Sequence, residues 1–204
     1  MSHNTWIHRA VRGAVRPLVG TRLTPNHLTT LRLATGLAAA ALLAVGAKLA
    51  VAAGAALFLV SMLLDRADGE LARLADQRSV FGHRFDVTSD GICNALVFVG
   101  LGAGLGDGTL GGWALLMGVL AGSAVAIAFI LVWRLEAAAG AAAAAASGAV
   151  DPDDAMIVVP VAVLLGLSEP LLIAAAVGAP AFAAAAGWQL ARRRVLRGRQ
   201  ESGA

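Results

Sequence analysis

Cysteine, charge and aromatic side chains are all scarce in this chain. Cys93 is the single cysteine in 204 residues and lies inside an apolar run, so no intramolecular disulfide is expected and a small buried side chain is its expected role. Charged residues make up only 14%, and much of that charge sits at the two ends and between residues 65 and 90. No cleavable signal pattern is expected, because the first long apolar run begins only near Leu28. What is abundant is apolar: 58% of residues are hydrophobic and the mean hydropathy is +0.76. That composition excludes an ordinary soluble domain and indicates an integral membrane protein with little mass outside the bilayer. A net charge of +3 suggests nucleic acid at first sight, but the basic residues flank apolar spans. Membrane orientation accounts for them, and no nucleic-acid partner is expected.

The predicted architecture is all-α and membrane-embedded, with six transmembrane helices at about residues 26–46, 50–75, 82–105, 109–136, 153–168 and 170–192. Pro160 makes the fifth the shortest and most interrupted. Residues 1–22 form a separate unit: Trp6, Ile7, Val11, Val15 and Leu18 fall roughly on one helical face and Arg9, Arg12 and Arg16 largely on another. This predicts an amphipathic helix lying in the interface plane, with its arginines on lipid phosphates. The catalytic unit then spans residues 23–204, opening with Thr24 as N-cap and Pro25 in the first helical position. Residues 137–150 are nearly all alanine and carry no assigned role. Asp151, Asp153 and Asp154 read as a cap for the fifth helix.

Four carboxylates lie where the second span ends and the third begins. In D-R-A-D-G-E-L-A-R-L-A-D-Q-R-S-V-F-G-H-R-F-D-V-T-S-D, Asp65 and Asp68 are three apart, and Asp86 and Asp90 are four apart. Each pair projects from one face of its helix. A short turn between antiparallel helices brings the pairs together, and four acids at membrane depth repel unless a cation lies among them. A hard divalent ion with oxygen ligands resolves this. The alternative is a divalent-cation transporter using the same acids. Gly69 and Ala72 remove bulk one turn below Asp68, which lets a nucleotide approach the helix backbone. Gly82 does the same where the third span starts, and Arg73 offers a planar fork to phosphate oxygens. Glu70 points away from the Asp65–Asp68 face and is expected to be an interfacial or dimer-facing charge. Asp76 is expected at a helix end.

The spacing D-x2-D-G-x2-A-R-x8-G-x3-D-x3-D resembles the signature of the CDP-alcohol phosphotransferase family at Asp65, Asp68, Gly69, Ala72, Arg73, Gly82, Asp86 and Asp90. The segment P-N-H-L-T-T-L-R at 25–32 is similar to the start of that family's first span, which adds Asn26 as a nucleotide-site candidate. The resemblance implies that Asp65, Asp68 and Asp86 ligate one or two Mg²⁺ or Mn²⁺ ions, with Asp90 both near the metal and the general base. It implies a CDP-alcohol donor such as CDP-diacylglycerol, an acceptor alcohol, release of CMP, contact with membrane lipids, and a homodimer as one arrangement. Gly91 departs from several branches, which carry Lys or Arg there, and this leaves the acceptor open. L-L-D-R-A-D-G-E-L-A-R-L is most similar to the branch using inositol-phosphate-type partners, so transfer between soluble polyols is the second option. A phosphorylated polyol needs a basic pocket, for which Arg84, Arg134 and Arg32 are the candidates. Counting basic residues puts both termini and the carboxylates on the cytoplasmic side of the inner membrane, with Lys48 alone opposite.

Overall fold

The computed structural model describes residues 13, 15–77, 79–139 and 156–201, with the side chains of 136–139 and 193–201 outside that description. Residues 1–12 of the expected interfacial helix, the alanine tract beyond Ala139 and the Asp151–Asp154 cap therefore lie outside the described residues. Every regular element among the described residues is helical.

The apolar runs become helices where turn chemistry punctuates them. Thr24 is extended, Pro25 opens α1 (Pro25–Ala44), and His27 Nδ1 accepts the Thr24 N–H at 3.2 Å. Gly46, at φ 74°, reverses the chain into α2 (Lys48–Leu74). That helix ends at Asp76, which takes φ 53° while the Gln77 N–H returns to the Ala72 carbonyl at 3.0 Å. This is the left-handed cap that Asp tolerates better than most side chains, and the expected helix-end role of Asp76 holds. Ser79 Oγ accepts the Gly82 N–H at 2.9 Å and starts α3 (Val80–Gly104).

The glycine-rich turn after α3 delays α4 (Trp113–Ala139) by four residues relative to the predicted start, because Gly111 sits at φ 52°. The fifth helix, α5, is described only over Val158–Leu164 and is closed by Gly166 at φ 78°. The last, α6 (Ser168–Glu201), runs through Pro180. Among the described residues five helices are long and apolar enough to cross a bilayer, and α5, at the place of the fifth predicted span, brings the helices of the bundle to six. Half or less of each apolar window is buried within the chain, which leaves the rest of the apolar surface to lipid. This is an integral membrane fold.

α1 packs on both α2 and α3, α3 on α4, α4 on α6, and α5 on α2 and α6. Glycines permit the closest approaches. A Cβ on Gly100 would run into the carbonyl oxygen of Ala40, and one on Gly104 into that of Leu43. At Gly102 an added Cβ would lie 2.5 Å from the Ala114 oxygen, and at Gly118 2.5 Å from the Phe98 oxygen. Backbones therefore touch directly, as in small-xxx-small helix pairs. At that end Thr109 Oγ1 donates to Glu169 Oε2 at 2.7 Å, tying the α3–α4 turn to the start of α6. The starts of α1 and α3 and the end of α2 gather at the opposite end, and the candidate site is there.

Candidate functional site

The side chains that meet at this end come from three helices. Asp65 and Asp68 project from the last turns of α2, and Asp86 and Asp90 from the first turns of α3. One oxygen each from Asp65, Asp68 and Asp86 lies within 4.8 Å of the others. Asp68 is buried, whereas Asp65 and Asp86 are part exposed. Thr29 of α1 donates to Asp68 Oδ2 at 2.6 Å and fixes its direction.

Asp90 joins this group through Arg32. The Arg32 guanidinium, 3% exposed, forms an ion pair with Asp90 Oδ1, lies 3.2 Å from Asp65 Oδ1 and 3.5 Å from Asp86 Oδ1, and donates to the Asp86 carbonyl at 3.3 Å. Asn94 Nδ2, one turn after Asp90, donates to the same Oδ1 at 2.9 Å. Ser61 Oγ donates to the Arg32 carbonyl at 2.9 Å and so anchors the helix bearing the guanidinium.

Four carboxylates gathered in a region of low dielectric repel one another unless cations lie among them. Asp86 Oδ1 is buried with no hydrogen-bond partner beyond its 3.5 Å approach to Arg32. Three convergent carboxylate oxygens, with a buried unsatisfied oxygen on one of the three residues, fit a hard divalent cation with oxygen ligands at about 2.0–2.6 Å. A narrow cleft, open to the outside, adjoins this cluster and is lined by Arg32, Asp65, Asp90 and Asn94 among others.

Gly69 is exposed, and a Cβ built there meets nothing within 4 Å; Ala72 beside it is half-buried. That stretch of α2 offers a bare surface next to Asp68. Gly82 behaves differently: a Cβ there would lie 3.0 Å from Ser79 Oγ and 3.1 Å from Asn26 Oδ1, so the lack of a side chain lets α3 start against α1. Arg73 is in an ion pair with Glu70, and Glu70 is only 3% exposed. The interfacial or dimer-facing placement expected for Glu70 is therefore corrected: it turns inward, where a buried acid beside a helix-end arginine finds a partner.

The expected acceptor arginines do not assemble. Arg84 and Arg134 are exposed and line no part of the pocket, while Arg32 is the carboxylates' counter-ion. Thr29, Ser61 and Asn94 are absent from the sequence-based site. The signals for them were present: Asn94 continues the four-residue step of Asp86 and Asp90, and an arginine inside an apolar span needs an acid partner.

A family model described as CDP-alcohol phosphatidyltransferase matches residues 22–188. No curated protein sequence matches the chain. Two solved structures of phosphatidylinositol phosphate synthase from Mycobacterium tuberculosis share its fold. One, with CDP-DAG bound, has TM-score 0.64 and 23% identity over 91% of this chain and 92% of that one. The other, in complex with manganese and citrate, has TM-score 0.64 and 23% identity over 90% and 86%.

Proposed function

Since the chain belongs to the CDP-alcohol phosphatidyltransferase family and is a membrane-embedded transferase of phosphate-containing groups, we propose that it transfers a phosphatidyl-type group from a CDP-alcohol such as CDP-diacylglycerol to an acceptor hydroxyl. The observation that carries this is the meeting of three carboxylate oxygens from two helices within 4.8 Å, beside a pocket that reaches Asp90. The CDP-DAG and manganese found in the similar structures support the same donor class and metal class here.

Asp65, Asp68 and Asp86 would hold Mg²⁺ or Mn²⁺, and the bound cation would offset the charge of the diphosphate and of the attacked phosphorus. Thr29 keeps Asp68 aimed at the cluster. Gly69 and Ala72 would give the nucleotide an unobstructed surface, Asn26 would meet it beside Gly82 at the start of α1, and Arg73 would share its guanidinium between Glu70 and the diphosphate. Arg32 and Asn94 hold Asp90 by its Oδ1, so the rotamer is set and Oδ2 is the oxygen proposed to take the acceptor's proton. The acceptor oxygen then bonds to the phosphorus distal to cytidine. The bond from that phosphorus to the CMP oxygen breaks, and CMP leaves with the electron pair. The excess of arginine at this end of the bundle supports a cytoplasmic site, with Lys48 at the other end.

The test is release of CMP from CDP-diacylglycerol by the purified protein in lipid nanodiscs, with a panel of alcohols and with Mg²⁺ or Mn²⁺. Metal-dependent CMP, lost in Asp90→Asn, is the expected result. Metal flux into proteoliposomes without any nucleotide dependence, and no CMP, would replace the enzyme with a transporter.

A further inference from the structure

The pocket beside Asp90 is poor in positive charge. Phe58 and Met62 of α2 and Met156, just before α5, form an apolar wall; Ser61 and Asn94 contribute neutral polar groups. Among the described residues that line it, the cations are Arg32 and Arg66, against the carboxylates Asp65 and Asp90. Arg32 is already shared among three aspartates, and Arg66 is the other guanidinium among the described lining residues.

The sequence limits what the stretch between α4 and the end of the apolar part of α6 can add. Residues 135–191 contain no Lys, Arg or His, while the same stretch holds Glu136, Asp151, Asp153, Asp154 and Glu169. Whichever of these residues border the opening near Met156, they bring no cation. A phosphate monoester carries close to two negative charges at neutral pH and is held elsewhere by guanidinium forks or several cations. Here it would face two carboxylates with one guanidinium in support.

We propose that the acceptor is an alcohol without a phosphate group. Its hydroxyl lies toward Asp90, its neutral polar groups meet Ser61 and Asn94, and an apolar portion rests on Phe58, Met62 and Met156. This rests on the transferase reading above and narrows it: the inositol-phosphate-type partner suggested by the α2 sequence gives way to an unphosphorylated one.

The experiment compares matched acceptor pairs, inositol with inositol phosphate and glycerol with glycerol 3-phosphate, with CDP-diacylglycerol and CDP-glycerol as donors. Products are identified by mass and rates by CMP release. The expected result is a kcat/KM for the neutral member about 100-fold above that of its phosphate ester, the scale of a misplaced like charge. Met62→Arg, which adds a guanidinium to the wall, is expected to shrink that ratio, and the wild-type comparison stands alone if this variant does not fold. Preference of the wild type for the phosphate esters overturns the neutral acceptor and leaves the transferase intact. Absence of metal-dependent CMP with every donor and acceptor overturns the transferase reading itself, and the acceptor assignment with it.

Discussion

From Val80 to Asn94, α3 meets α1 and α2 through long polar side chains; from Val97 to Gly104 it meets α1 and α4 with almost none. In the first half Asp90 reaches Arg32 and Asp86 approaches Asp65 and Asp68. In the second, Gly100, Gly102 and Gly104 let carbonyl oxygens of neighbouring helices lie where a Cβ would stand. The polar half gathers acids that repel one another, whereas the glycine half is closed by direct backbone contact. A membrane enzyme needs both, because acids that repel one another stay assembled only when the helices carrying them are held elsewhere.

The comparison breaks most sharply at Asp90. Asp90→Asn is expected to lower metal-dependent CMP release by about 1,000-fold, in the range for loss of a positioned base, with little change in thermal unfolding of the detergent-solubilised protein. In the glycine half the effects reverse. Gly104→Leu is expected to destabilise the fold by about 3 kcal/mol or more, because backbone rather than a flexible side chain blocks the space. The readout is loss of monodisperse, helical protein, and a well-folded variant would show that the close approach is dispensable.

Arg32→Gln sharpens the contrast, since it removes a guanidinium that touches three of the acids. Without metal the variant is expected to be about 3 kcal/mol less stable. Mn²⁺ should raise its melting temperature by more than that of the wild type. An equal shift in both proteins would mean that Arg32 and the cation do not share the same charges. Thr29→Val is a smaller perturbation. Loss of its 2.6 Å hydrogen bond to Asp68 is expected to weaken metal affinity by about tenfold, with the fold unchanged in circular dichroism.

The chain announces the four acids and most of the helices, because both depend on local spacing. D-x2-D and D-x3-D put each pair on one helical face wherever the helix goes, and Thr24-Pro25 starts α1 by its own backbone preferences. Arg32 was visible as a basic residue in an apolar span, yet its partners depend on how α1 crosses α2 and α3, which no local pattern encodes. The inward turn of Glu70 is of the same kind, set by the last turns of α2 and not by its distance from Asp68. Gly100-x3-Gly104 stood in the sequence as plain small residues and acquired meaning only when Ala40 and Leu43 were placed against them.

The central claim is that Asp65, Asp68 and Asp86 act together on one divalent cation facing a nucleotide diphosphate. Titration of the purified protein with Mn²⁺, followed by electron paramagnetic resonance with and without CDP, addresses it most directly. The account predicts saturable binding at one or two ions, tighter with CDP and lost in Asp86→Asn. Binding that survives Asp86→Asn unchanged, or that ignores CDP, would contradict it.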